Sequence, residues 1–220
     1  DAFIAEPAGN LIKRITLTEK DGEVAGANAY EAAEFLTSTD ERFRPVNLFN
    51  GPDGALYVVD LYRGILQHKT YVTSFLRKQI EERKLADGIG LGRIWRIVPD
   101  GAPKANLKSG LATATTAQLV EKLGDANGWV RDTAQRLLVE KRDPAAVVSL
   151  RKMAVAAATP LARVHALWTL EGVGGLDKVT VLAALAAQDA RVCVAAIRVA
   201  EKLFKPTLDA EIVAKLVSLA

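Results

Sequence analysis

The chain has 220 residues, of which 50% are hydrophobic and 25% charged, and its formal net charge is +3. This composition is ordinary for a globular protein with one large domain or two small ones. No run approaches the ~20 consecutive apolar residues of a membrane helix, the single cysteine excludes an internal disulfide, and two histidines disfavour a zinc or iron site made of protein ligands alone.

Charge and aromatic content divide the chain into two parts. Residues 1–100 carry 13 Lys+Arg and 15 Asp+Glu, whereas residues 101–220 carry 16 and 11. Ten of the 13 aromatic residues lie in the first hundred. We therefore predict a first domain over 1–99, a linker over 100–111 and a second domain over 112–220. The basic half lacks a dense basic run, which favours a solvated helical surface and no nucleic-acid binding. Because the chain begins at Asp1, we expect it to be a segment of a longer protein.

The first domain is predicted to be rich in β-strands. Alternating or continuous apolar residues bounded by turn signals predict strands at Ala2–Ala5, Asn10–Thr16, Val46–Phe49 and Ala55–Asp60. Turns are predicted at 7–10, 20–22 and 51–54, the last formed by Gly-Pro-Asp-Gly. A helix is predicted over 71–84, where apolar residues recur with helical spacing, and a final strand over 92–98 ends at Pro99.

The second domain shows only helical patterns, with breaks at Gly124, 143–144, 159–160, 172–175, Asp189 and Pro206. Arg131, Arg163 and Cys193 are spaced by 32 and 30 residues, and an alanine follows each of them by three positions. A small residue there lets a paired helix approach closely, and the pattern is similar to that of HEAT-type repeats. Cys193 is expected to be a buried, inert thiol and His165 a helix-packing residue.

Polar residues flank the predicted hairpin of the first domain. The loop that holds Asp60, Arg63 and His68 can bind an anion or a polar ligand, and Arg44 can point toward an anionic cofactor, since its planar fork binds carboxylates bidentately. The structural alternative is that Arg63 pairs with Asp60 or Asp40 while His68 caps the next helix. No motif identifies a catalytic residue.

A family likeness is carried by several motifs of the first hundred residues. They resemble the end of the propeller in the large planctomycete and verrucomicrobial membrane-bound dehydrogenase-like proteins, in segments 6–11, 34–40, 43–46, 51–64, 67–68 and 92–97. The resemblance implies an α+β multidomain fold in which C-terminal blades of a β-propeller, over 1–99, precede an all-α HEAT-like helical repeat solenoid over 112–220.

The resemblance also implies a function. It suggests a fragment of an oxidoreductase similar to PQQ-dependent sugar or alcohol dehydrogenases, inactive as this segment alone, with the helical repeats as a spacer or a docking module for a redox protein. PQQ and calcium are then expected in the full-length protein, haem c outside this segment, and a periplasmic location. Arg44, Asp60, Arg63 and His68 would line the cofactor site. The alternative is a non-catalytic binding or scaffold protein that recognises glycans or proteins.

Overall fold

A computed structural model describes residues 1–20, 23–102, 109–204 and 208–219, and side chains throughout these ranges except that of Lys69. Residues 21–22 of the predicted turn, half of the predicted linker (103–108) and the predicted break at Pro206 lie outside the described residues. The chain divides into two compact units, residues 1–104 and 105–220.

The first unit contains two small antiparallel sheets. In the first sheet, β2 pairs with β1 along one edge and with β3 and the short β4 along the other. The strands are β1 (Ala2–Glu6), β2 (Leu11–Lys20), β3 (Glu23–Asn28) and β4 (Leu36–Thr37). The strands β3 and β4 were not predicted, because β3 is exposed on both faces and so lacks an apolar alternation, and β4 spans only two residues.

The second sheet has three strands in the order in which they occur in the chain, β5 (Pro45–Asn50), β6 (Leu56–Asp60) and β7 (Arg93–Ile97). The predicted Gly-Pro-Asp-Gly turn joins β5 to β6, and Gly54 has the positive φ of 78° that favours glycine. A short 3-10 helix, Lys69–Tyr71, and α1 (Ser74–Glu82) lie between β6 and β7 in sequence. Thr73 caps α1 by accepting the N–H of Leu76.

The predicted fold class is wrong. Instead of propeller blades followed by a HEAT-like solenoid, the described residues form two small antiparallel sheets with seven strands, without closure into a propeller, together with eight α-helices. The turn predicted at 51–54 is confirmed, because it joins two paired antiparallel strands, but such a hairpin is common to most antiparallel folds. A propeller needs repeated four-stranded blades around a channel, whereas a helical segment here separates β6 from its partner β7.

The second unit is built from helices that pack in consecutive pairs. The pairs are α2 with α3, α4 with α5 and α6 with α7; the second helices also contact one another in succession, as do α2, α4, α6 and α8. Their bounds are α2 (Thr116–Lys122), α3 (Gly128–Lys141), α4 (Ala146–Ala156), α5 (Pro160–Val173), α6 (Lys178–Leu185), α7 (Ala190–Ala200) and α8 (Ala210–Val217), with 3-10 turns at Leu111–Thr113 and Glu201–Phe204.

Side-chain caps set the register of α3, α5 and α7. Their N-caps are Asn127, Thr159 and Asp189, each of which accepts a backbone N–H of the first turn. Seven positions after each cap stands a fully buried alanine, Ala134, Ala166 or Ala196. The small side chains allow the close approach of neighbouring helices inferred from the sequence.

The two units differ greatly in their cores. In the helical unit, 22 buried apolar residues form one continuous cluster. Among the described residues of the first unit, the buried cluster contains only Ile12, Phe43 and Val58, with four partly buried neighbours. Polar contacts must therefore contribute more to holding the first unit together, and two of the candidate site residues provide them.

Candidate functional site

Arg44 is almost fully buried and ties together three segments of the first unit. Its guanidinium donates to the carbonyl oxygens of Arg63 (2.9 Å), Gly64 (2.9 Å), Pro7 (2.7 Å) and Ala8 (3.2 Å). The acceptors lie in the turn between β1 and β2 and in the segment after β6. Burial lowers the pKa of the Arg44 guanidinium, but the carbonyl dipoles around it compensate for the lost water.

Asp60, at the end of β6, is the buried acid beside this arginine. Its Oδ1 accepts the backbone N–H groups of Arg44 and Tyr62, each at 2.8 Å, and its Oδ2 accepts the indole N–H of Trp95 at 2.9 Å. Only 1% of Asp60 is exposed. The carboxylate thus fixes the backbone of Arg44 just before β5, the backbone of Tyr62 and the side chain of Trp95 on β7.

The side chains of the other two predicted site residues, Arg63 and His68, take no part in the contacts of the Arg44 and Asp60 side chains. Arg63 contributes its carbonyl oxygen to Arg44, and within the described residues no ion pair joins Arg63 to Asp60 or Asp40. His68 is exposed; its Nδ1 accepts the N–H of Thr70 at 3.3 Å, and its carbonyl accepts the N–H of Tyr71. His68 therefore caps the 3-10 helix that begins at Lys69, and the side chains of the four residues do not converge on one described cavity.

A cluster that the sequence reasoning missed lies at the surface around Arg93. The Arg93 guanidinium stacks over the ring of Tyr62, 3.5 Å from its centroid, and is 5.7 Å from that of Trp95. The hydroxyl of Tyr62 donates to Asp40 Oδ2 at 2.8 Å. The backbone N–H of Arg42, together with this hydroxyl, holds the pKa of the Asp40 carboxyl below its ordinary value.

Tyr62 occupies an unusual backbone conformation, with φ at 48°. This left-handed region is rare for a bulky residue, and such a residue persists only where its surroundings hold it there. The Asp60 carboxylate does so by accepting the Tyr62 N–H. The consequence is that the aromatic ring is aimed at Arg93, and Trp95, paired with Val58 in the β6–β7 register, stands beside it. Only this nonlocal strand pairing brings the cluster together.

A cavity of about 280 Å³ lies between α1 and the segment after β6. Arg44 and Gly64 line it from one side, and Val72, Phe75 and Leu76 from the other. Glu41 and Arg83, which also line it, form an ion pair with each other. The cavity combines an apolar wall with one buried cation.

His165 lies between α3 and α5 in the helical unit. Its Nδ1 is 2.7 Å from Gln135 Oε1, and its Nε2 accepts the Nε–H of Arg131 at 3.3 Å. These contacts assign the proton of the neutral ring to Nδ1. Burial lowers the pKa of His165, Asp132 opposes this effect and Arg131 adds to it. The residue packs two helices together, and Cys193 is half-buried with its Sγ 3.7 Å from the Leu185 carbonyl.

The predicted cofactor residues do not form a calcium site. Both oxygens of Asp60 already accept N–H groups, so its carboxylate is not free to bind a metal ion. Among the described residues, no group of three or more His, Cys, Asp or Glu side chains is placed to hold a metal ion. Binding of PQQ, calcium or haem by the full-length protein is a prediction from the resemblance.

Comparison with known proteins adds a match for the first unit. Residues 1–101 match the family model of a domain of unknown function, DUF7133. No curated protein and no solved structure matches the chain. In the described part of the chain, no helix is both long and apolar enough to cross a membrane.

Proposed function

We propose that this chain is a binding protein and that its first unit recognises a glycan at the surface formed by Tyr62, Arg93 and Trp95. The observation that carries the proposal is the stacked cation between two aromatic rings, one of which, Trp95, remains 44% exposed. A sugar ring has an apolar face of C–H groups and a rim of hydroxyls. The indole offers a flat apolar surface for that face.

The polar groups around Trp95 suit the hydroxyl rim. The Nε–H of Arg93 donates to the Leu91 carbonyl, and within the described residues its Nη atoms make no hydrogen bond, so they are available as donors. The carboxylate of Asp40 supplies acceptor lone pairs beside them. Donors, acceptors and an aromatic surface within one cluster are the groups that a polyhydroxylated ligand needs.

The cluster is also held in place before any ligand arrives. Tyr62 is fixed by Asp40 and Asp60, and Trp95 by Asp60. Side chains that are already ordered lose little conformational entropy on binding, which raises affinity. Asp60 therefore has an indirect role in binding, because its buried carboxylate positions the side chains that would touch the ligand.

The proposal is tested by screening the 220-residue chain on a glycan array and titrating the strongest hits by calorimetry. We expect Arg93→Gln to weaken binding at least tenfold, about 1.4 kcal/mol. Arg77→Gln is the matched control, since Arg77 is exposed on α1, and it should bind like the wild type. Absence of any array hit, or equal affinity of Arg93→Gln and the wild type, would refute the proposal.

A second binding function is favoured by the outward face of α5 and α7. Leu161, Trp168, Val194 and Ile197 are all more than a third exposed, and Val164 lies between them on α5. Arg198 follows Ile197 on α7, and within the described residues its side chain forms no hydrogen bond or ion pair. Tryptophan and arginine with aliphatic neighbours are typical of binding hot spots. We propose that this face binds an acidic, partly apolar protein segment.

Selection from a random peptide library tests the second function. Enriched peptides should combine acidic and apolar residues, and Trp168→Ala should abolish their binding while Val148→Ala, at an exposed residue of α4, leaves it unchanged. Peptides without acidic residues, or equal binding by both variants, would contradict it.

The oxidoreductase function remains a prediction from the family resemblance. Its test is reconstitution of the full-length protein with PQQ and calcium, followed by dye reduction with a panel of sugars and alcohols. No cofactor binding and no dye reduction would refute it, and neither result bears on glycan binding by the first unit.

A further inference from the structure

The cavity beside α1 contains a buried positive charge, that of Arg44, which forms no ion pair within the described residues, although Glu41 and Glu6 lie near enough to favour its charged form. Arg44 is 8% exposed, and its hydrogen-bond acceptors are four neutral carbonyl groups. Within the described residues, no carboxylate forms an ion pair with it; Glu41, which lines the same cavity, pairs with Arg83. A buried cation without an ion-pair partner favours the binding of an anion, because a carboxylate in direct contact adds a charge interaction to the stabilisation that the carbonyl dipoles already provide.

Arg44 also keeps a donor for such an anion. A guanidinium has five N–H groups. Four of them are used, one at Nε, two at Nη1 and one at Nη2. The remaining hydrogen belongs to Nη2, which donates to the carbonyl of Gly64, a residue of the cavity wall. One free N–H next to a cavity suits a single carboxylate oxygen better than a phosphate, which needs several donors.

The opposite wall of the cavity is apolar and poorly covered. It is formed by Val72, Phe75, Leu76 and Ile80 of the α1 region, with Ile65 beside them. Phe75 is 69% exposed and Leu76 38%. An apolar ligand body lying against these side chains would remove their surface from water, which favours binding.

We infer that this cavity binds a small organic carboxylate with an aliphatic body, with the carboxylate at Arg44 and the body against α1. A neutral apolar molecule would leave the buried charge unpaired, and an inorganic anion would leave the apolar wall uncovered. The cavity volume of about 280 Å³ suits a small molecule. This site is separate from the Tyr62–Arg93–Trp95 surface, and its occupancy does not depend on glycan binding.

Calorimetric titration of the 220-residue chain with octanoate, octanol and acetate tests the inference. Octanoate should bind saturably and at least tenfold more tightly than octanol, and acetate should give no saturable heat. Gln79→Glu adds a negative charge to the cavity wall on α1. It should weaken octanoate binding about fivefold or more through charge repulsion and leave octanol binding unchanged.

Two further variants keep the test decisive. Gln188→Glu makes the same charge change at an exposed residue outside the cavity and should bind octanoate like the wild type, as should Arg93→Gln. Equal affinity for octanoate and octanol, no saturable binding of octanoate, or equal losses in Gln79→Glu and Gln188→Glu would each overturn the inference.

Discussion

Replacing Asp60 with asparagine removes the charge that three N–H groups share. In the orientation that keeps the bonds from Arg44 and Tyr62, the new amide NH₂ faces the indole N–H of Trp95, so two donors meet in a buried site. A hydrogen bond to a charged group contributes about 1.5–3 kcal/mol, and an unsatisfied buried donor costs about 1–3 kcal/mol. We therefore expect Asp60→Asn to lower the stability of the first unit by about 3 kcal/mol.

Amide hydrogen exchange in β6 and β7 measures this loss in the full chain, separately from the helical unit. Trp95→Phe removes the opposing donor, so the double variant should lose less than the sum of the single losses, by about 1–2 kcal/mol. Asp87→Asn, an equal charge change at an exposed residue, is the control and should match the wild type. A loss below about 0.5 kcal/mol for Asp60→Asn, or strict additivity with Trp95→Phe, would refute this account of Asp60.

Three further predictions concern pH and packing. The pKa of His165 is lower in the folded chain than in the unfolded chain, so the unfolded chain binds the proton first as the pH falls below about 6.5. The free energy of unfolding, measured by urea denaturation, should therefore decrease below that pH, by at most about 1.4 kcal/mol per pH unit. The decrease should be shallower for His165→Gln. Ala134→Leu, at a fully buried position, should cost about 1–3 kcal/mol by overpacking, and an unchanged melting temperature would contradict this. Gly64→Ala should destabilise the first unit by about 1–3 kcal/mol, measured by hydrogen exchange, because the added Cβ would lie 2.7 Å from the Cβ of Leu85. Gly92→Ala is the control, since a Cβ there meets nothing nearer than 3.4 Å. Equal destabilisation by the two substitutions would contradict the prediction.

Local structure could largely be predicted from the sequence, and the assembly of strands could not. The turn at 51–54, the strand Leu56–Asp60 and the helix around Phe75 follow from turn residues and periodicity. The arrangement of the sheets depends on pairings such as that of Asp60 with Arg93, 33 residues apart in sequence, which no local pattern encodes. The family resemblance supplied a propeller where the structure has two separate sheets.

The candidate site, like the fold, could be predicted from the sequence only in part. The sequence marks Arg44 and Asp60 as polar residues beside a predicted strand, and their role in lining a cofactor site stays a prediction. The carbonyl groups that Arg44 contacts and the N–H groups that Asp60 accepts are set by tertiary structure, which the sequence pattern does not show. Arg93 and Trp95 alternate with Ile94 in an ordinary strand pattern, so nothing local marked them. A positive φ at Tyr62 is equally invisible, since tyrosine does not by itself favour that conformation.

The most direct test of the central claim is the fluorescence of Trp95 during glycan titration. In the Trp129→Phe/Trp168→Phe chain, Trp95 is the remaining tryptophan, so its emission reports on the proposed surface alone. A glycan identified on the array should change this emission saturably, with a midpoint equal to the calorimetric Kd and shifted at least tenfold by Arg93→Gln. Calorimetric binding of that glycan with no change in Trp95 emission would place the ligand elsewhere and contradict the claim.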